Sequence, residues 1–278
     1  MRLHEHEGAE IFDKAGIPVP RHRVVGTVEE ALKAGDVIGY PVMVKAQVLV
    51  GGRGLAGGIQ TAETPQELET RAGSLLGSQV RGLPVRQVMV CSRQDIAGEF
   101  YMGVTVDGYE GKPVVVVSTE GGVRIEETAS KAPEKVVSFH VEPGRALYAY
   151  QARNLLKGLG VSGRLMVGCA DVLVRLYKVF ADHEAIIAEI NPLAVLEGGG
   201  LSAVDAVLEV DDSAVSRIPY SVGDPSGRLE NPLESRAKEI GVSYVDLDGD
   251  IGIIASGAGL GMASMDIIGS GDMRPANF

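Results

Sequence analysis

The chain predicts an α+β fold. Three features point there. Apolar residues switch between helical and strand spacing along its length, and the strand-like runs gather in the middle, joined by glycine turns. The interior must be aliphatic, because 45 % of the 278 residues are hydrophobic while only 5 % are aromatic and none is Trp. Leu3, Ile11, Phe12 and Ala15 suit an opening helix that stops at Gly16 and Pro18. Val24 and Val25 then form a short strand. Thr27 caps a helix over 28–33, with Glu30 completing a capping box. A buried strand at 42–46 leads into the loop VGGRGLAGG at 50–58 and a hairpin return at 59–62. Thr64 opens a helix through Leu75, with Pro65 at its first position.

Runs at 88–91, 99–106 and 113–118 are expected to form strands of one antiparallel sheet. Helical spacing follows at 148–159 and 165–180. A strand pair at 185–190 and 201–207 is joined by the turn EGGG. The stretch 211–237, with Pro219, Pro225 and Pro232, reads as a linker. Beyond it lies a fresh unit: the run 244–247, a DGD turn, a strand at 251–255, the loop SGAGLGM and a helix from about Met262. The length suggests about two domains.

Charge and composition exclude several classes. Lys and Arg number 26 against 37 Asp and Glu, a net charge of −11 that opposes a general nucleic-acid binder. Two cysteines, Cys91 and Cys169, offer no disulfide framework and no metal-ligand spacing, and both read as buried structural thiols. No apolar run is long enough to span a membrane, and the first residues are not those of a signal sequence. A cytoplasmic location is the expectation. Glycine is in excess: 37 residues are about 13 %, against a usual level near 7 %.

Three places could carry chemistry. Lys45 ends a strand beside Gly51, Gly52, Arg53, Gly54, Gly57 and Gly58. Glycine backbone and two cations can cradle phosphate oxygens, although a hairpin with a solvated Arg fits the same residues. There is no Walker loop, and the segment leads to a strand rather than the helix of a dinucleotide fingerprint. Glu189 and Asn191 share one strand face, and the next strand brings Asp205. These hard oxygen donors suit Mg²⁺, with Glu99 a further candidate acid; solvated edge carboxylates are the alternative. The loop SGAGLGMASMD precedes a helix, where N–H groups can meet an anion, but a tight turn suffices to explain it. His4 and His6 look metal-like but diverge if both lie on a helix, so a solvated helix start is expected.

Taken in order, LHEHEGAEIFDKAGIPVP, VKAQVLVGGRGLAGG, STEGGVRIEE, AEINPL and LDGDIGI followed by GAGLGMASMD resemble the β subunits of the succinyl-CoA synthetase family. The resemblance runs in register through the whole chain. It implies an ATP-grasp domain over 1–240 and, at 241–278, the start of a flavodoxin-like α/β CoA-ligase domain. Family members continue beyond PANF, so the resemblance implies a C-terminally truncated, incomplete second domain. It further implies that Lys45, Gly52, Arg53 and Gly54 bind nucleotide phosphates, with Glu99 lining that site. Asn191 and Asp205 would hold Mg²⁺. Glu189 would be catalytic, meeting a phosphohistidine carried by a partner α subunit. ATP is then the substrate, CoA enters through the partner, and the acid is a small dicarboxylate.

Pro20 matches ATP-using members. Cys91 replaces a Glu near the adenine, Ser256 replaces an Asn before GAGL, and Val207 replaces a Lys beside the metal position. Ser256 admits malate as an alternative acid. A non-catalytic nucleotide-binding remnant is the alternative from another class.

Overall fold

In the computed structural model, all residues are described except 123–124, 215, 219–227 and 229–230. The chain divides into two compact units, Met1–Tyr220 and Ser221–Phe278. In the first, α1 (Glu5–Lys14) precedes β1 (His22–Val25), α2 (Val28–Ile38), β2 (Val42–Ala46), β3 (Ile59–Ala62) and α3 (Pro65–Leu75). A small ribbon, β4 (Gln79–Val80) and β5 (Leu83–Pro84), leads to β6 (Val88–Ser92). The first sheet has the order β1-β6-β2-β3. This corrects the expectation that 88–91 belongs with the middle strands. Val88, Met89, Val90 and Cys91 are all buried because β6 lies inside this sheet, between β1 and β2.

Strand alternation then sorts β2 by face. Val42, Val44 and Ala46 join a core with Ala31, Ala34, Leu68 and Ala72 from α2 and α3. Lys45 consequently points to the opposite side. The helix caps follow the expected residues with one difference. Thr27 accepts from Glu30 N at 3.2 Å, but Glu30 Oε2 accepts from Gly26 N, one residue before the cap, rather than from Thr27 N.

The second sheet contains β7 (Ile96–Asp107), β8 (Lys112–Ser118), β9 (Val136–His140), β10 (Ala185–Leu196), β11 (Leu201–Ala203) and β12 (Ala206–Val210). Its order is β11-β10-β7-β8-β9, with β12 also on β10. Between β8 and β9 lies α4 (Ile125–Lys131); α5 (Ala149–Gly158) and the 20-residue α6 (Gly163–Asp182) precede β10. The expected pair 185–190 and 201–207 needs revision. β10 runs on to Leu196, and its partner is broken into β11 and β12 at Val204 and Asp205. Pro192 has no N–H for the ladder, and its carbonyl accepts from Val204 N at 3.1 Å instead. The ladder pairs Ile190 with Ala206, so Asp205 stands at the next register position, opposite Asn191.

In the expected linker, Pro219 and Pro225 lie outside the described residues, whereas Pro232 starts α7 (Pro232–Glu239), capped by Asn231 Oδ1 accepting from Leu233 N at 2.8 Å. In the second unit, the expected strand 251–255 does not form, and 244–247 is not a strand either. They make single bridges, Asp246 to Asn277 and Ile251 to Pro275. A parallel strand must be covered on both faces, and here Ile254 is fully exposed. The helix α8 (Ala258–Ser270) starts four residues earlier than expected, with Gly257 at its N-cap.

Candidate functional site

Glu5, Gly8, Ala9 and Phe12 form the buried stripe of α1. Gly8 lets the helix approach β12 closely, since a Cβ there would sit 3.3 Å from Ala206 O. This approach lays Glu5 against the face of β2 that carries Lys45. Lys45 Nζ donates to Glu5 Oε1 at 2.8 Å and to Val204 O at 2.7 Å. Arg53 folds inward from its loop. One guanidinium nitrogen donates to Ala46 O at 3.0 Å, and the other lies 2.7 Å from Glu5 Oε2 and 3.0 Å from Asp205 Oδ1. The side chains of Lys45, Glu5 and Arg53 are 3 %, 3 % and 7 % exposed, while Asp205 keeps 30 %. Two cations thus face two carboxylates, and Asp205 is the member that opens to solvent.

The electrostatics follow this geometry. Burial would raise the Glu5 carboxyl, but Lys45 and Arg53 outweigh it and hold it below the usual range. Burial would likewise lower the Lys45 ammonium, and Glu5 reverses that. Asp205 moves the other way: burial and the nearby Glu5 raise it, and the two cations compensate only in part.

The glycine loop stands beside this network. Gly52 has a φ of +70°, a left-handed conformation that favours glycine. Among the described residues, the backbone N–H groups of Gly51, Gly52 and Gly54 donate no hydrogen bond. They remain available to an anion.

On the second sheet, Asn191 Oδ1 accepts from Gly122 N at 2.8 Å and the Asn191 side chain hydrogen-bonds Glu189. Burial raises the Glu189 carboxyl, as do Asp205 and Glu126, while Arg2 acts against them. Glu99 packs against the same turn: its Oε2 lies 2.7 Å from where a Cβ on Gly122 would be. The structure therefore gathers Lys45, Arg53 and Asp205 into one cluster and Glu189, Asn191 and Glu99 around Gly122. Asp205 and Asn191 connect the two through their register.

The residue that sequence reasoning missed is Glu5. Its signal was available: it occupies the apolar stripe of α1, and a buried lysine needs a counter-charge.

The remaining expectations resolve simply. His4 is the N-cap, outside the helix, so helical divergence does not apply; its ring stacks on His6 at 5.7 Å. Both rings are half-buried rather than solvated, and His6 Nδ1 meets Gln47 Oε1 at 3.0 Å. Cys91 and Cys169 are buried free thiols, pushed by burial up to about 11 and about 12. Pro20 and Cys91 line a cavity of about 10 Å³, room for about one water.

Comparison with known proteins settles the family. The model of the ATP-grasp domain matches residues 2–195. The succinate–CoA ligase [ADP-forming] β subunit of Halorubrum lacusprofundi is 43 % identical over all 278 residues of this chain, which span 73 % of its length. The [GDP-forming] β subunit of Thermus thermophilus gives the same identity and coverage.

The chain belongs to the succinate–CoA ligase β-subunit family.

Solved structures agree on the fold. An ATP citrate lyase from Methanothrix soehngenii, in complex with citrate and coenzyme A, aligns with a TM-score of 0.73 at 18 % identity. It covers 100 % of this chain and 71 % of that one. The dinucleotide forming acetyl-coenzyme A synthetase 1 of Ca. Korarchaeum cryptofilum gives 0.61 at 22 %, covering 76 % and 93 %.

The donor set of this family member fits a hard divalent cation. Asn191 and Asp205 offer oxygen atoms at neighbouring register positions, and Asp205 keeps a partly exposed carboxylate. Among the described residues no group of three or more His, Cys, Asp or Glu could hold a metal ion. No helix among the described residues is long and apolar enough to cross a membrane.

Proposed function

We propose that this chain is the nucleotide-handling β subunit of an ADP-forming acid–CoA ligase. The observation that carries the reading is the convergence of Lys45, Arg53 and Asp205 beside the undonated N–H groups of the glycine loop. ATP phosphates bind over Gly52, Arg53 and Gly54, where backbone N–H groups and the side chains of Lys45 and Arg53 donate to phosphate oxygens. Asn191 and Asp205 would hold Mg²⁺, which supplies charge neutralisation on the phosphate oxygens. Glu99 lines the nucleotide side of this site.

Glu189 receives a histidine of a partner α subunit. The γ-phosphoryl group leaves ADP as its P–O bond breaks, and a P–N bond forms on that histidine. Phosphoryl transfer then activates a dicarboxylate as an acyl phosphate, and CoA, bound through the partner, displaces phosphate to form a thioester. The protein contributes mainly position and charge to the first stage.

Domain boundaries near 240 and a flavodoxin-like beginning in the second unit form part of this proposal, as does a cytoplasmic location. The acid is succinate or, because Ser256 stands before GAGL, a related dicarboxylate such as malate.

The test is co-expression with the cognate α subunit. Labelled phosphate from Mg-ATP should appear on an α-subunit histidine, followed by CoA-dependent thioester formation across a panel of dicarboxylates. Lys45→Ala should abolish the labelling. Undiminished labelling in that variant overturns the site assignment, and Mg-ATP binding without any transfer identifies a non-catalytic remnant.

A further inference from the structure

Glu5 and Asp205 leave the Lys45–Arg53 pair with no surplus positive charge. A nucleoside triphosphate carries several negative charges, so its attraction to this loop needs cations that are not already matched.

Two such cations stand at the loop itself. Arg81, with a φ of +52°, and Gly82, with a φ of +82°, form the two-residue turn between β4 and β5. A turn with both central residues left-handed is the kind that tightly joins two short strands, and it holds Arg81 in place above the loop. The Arg81 guanidinium lies 2.8 Å, by its Nη2, from the position a Cβ on Gly52 would take. Arg2 is the second: its backbone bridges to Glu209 on β12, and its Nη2 lies 3.8 Å from the equivalent point on Gly51. Arg2 is also near enough to Glu189 for its charge to act on that carboxylate. Among the described residues neither arginine forms an ion pair.

We propose that Arg2 and Arg81 are phosphate-binding residues, which supply the net positive charge at Gly51 and Gly52 that the Lys45–Arg53 pair lacks. Guanidinium groups suit this task because their planar donors meet phosphate oxygens in pairs. Arg81 covers the loop from the ribbon side. Arg2, placed between the loop and Glu189, serves the phosphoryl group closest to the transfer position. The inference rests on the nucleotide reading above and adds two residues to it.

The experiment is calorimetric titration of the full chain with Mg-ATP, inorganic tripolyphosphate and adenosine. Wild type is compared with Arg2→Gln, Arg81→Gln and Arg81→Lys, and a thermal melt of each variant checks that it is folded. Each Gln variant should weaken Mg-ATP and tripolyphosphate by about tenfold or more, the range of a charge-assisted contact. Adenosine binding should not change, and Arg81→Lys should recover part of the loss. Unaltered Mg-ATP affinity in both Gln variants overturns the proposal while the nucleotide reading stands. An equal loss for adenosine overturns it too, because the arginines would then only shape the loop. Failure of wild type to bind Mg-ATP overturns both.

Discussion

Replacing Glu5 by Gln removes one charge at the centre of the buried network and almost no volume. In the native chain that carboxylate is 2.8 Å from Lys45 Nζ and 2.7 Å from the Arg53 guanidinium, and it is 3 % exposed. Each charge-assisted contact contributes roughly 1.5–3 kcal/mol. Removing one partner of a buried ion pair costs about 3–5 kcal/mol, because the other charge stays desolvated. The loss belongs at the low end, near 3 kcal/mol, since Lys45 keeps Val204 O and Arg53 keeps Asp205 and Ala46 O. For a domain of this size that is a fall in Tm of roughly 6–12 °C. Urea unfolding should show a lower midpoint at unchanged m.

Two controls separate the network from general damage. A cycle combining Glu5→Gln with Lys45→Met should be non-additive, the double variant losing about 1–2 kcal/mol less than the sum. The pH profile should change as well. The folded-state pKa of Glu5 lies below its unfolded value, so its stabilisation is present above the ordinary Glu range and lost as pH falls through the lowered value. Wild type should therefore destabilise more steeply in acid than the variant. An unfolding midpoint equal to wild type, with an additive cycle, would show that the pair contributes nothing.

Asp205→Asn should free Arg53 from its second carboxylate, so that metal-free ATP binds more tightly than to wild type while the enhancement by Mg²⁺ shrinks. Titration in EDTA and in Mg²⁺ reads both, and weaker metal-free binding would contradict this account. Glu189→Gln should raise Tm at neutral pH while stopping phosphoryl transfer. Burial raises the folded-state pKa of Glu189, so its ionised form costs stability above that pKa and costs none below the unfolded one. The advantage of Gln should disappear in acid; a constant difference across pH would refute the charge argument. Gly122→Ala, at a φ of +71° with Glu99 Oε2 2.7 Å from the new methyl position, should lose about 1–2 kcal/mol in urea unfolding.

Local signals were legible wherever one element decides its own form. Thr64 with Pro65 sets the start of α3, and the apolar run of β2 followed by glycines sets the hairpin to β3. What escaped depends on neighbours far away in the chain. The run 88–91 is as apolar as the strands of either sheet, and only its pairing with β1 and β2 assigns it. The second unit shows the same limit in reverse. Its strand-like runs find only single bridges among the described residues, because spacing can favour a strand but cannot provide its partner.

The candidate site was legible as residue types but not as a balance of charge. In the sequence Lys45 and Arg53 read as two free cations, enough by that count for a polyphosphate. Glu5, forty residues upstream, cancels one of them, and Asp205, in the break between β11 and β12, cancels the second. Those two carboxylates differ in consequence. Glu5 lies on the buried face of α1 and is 3 % exposed, held by Lys45 and Arg53, so it acts on the cations' position. Asp205 is 30 % exposed and stands opposite Asn191, so it can exchange Arg53 for a divalent ion. Under the proposed function such an exchange would couple metal and phosphate, because an ion that drew Asp205 away would return one positive charge to the loop. On the proposed reading, the network is neutral in this structure and would carry one net positive charge once a metal took Asp205, which a reading of Lys45 and Arg53 by themselves would have missed.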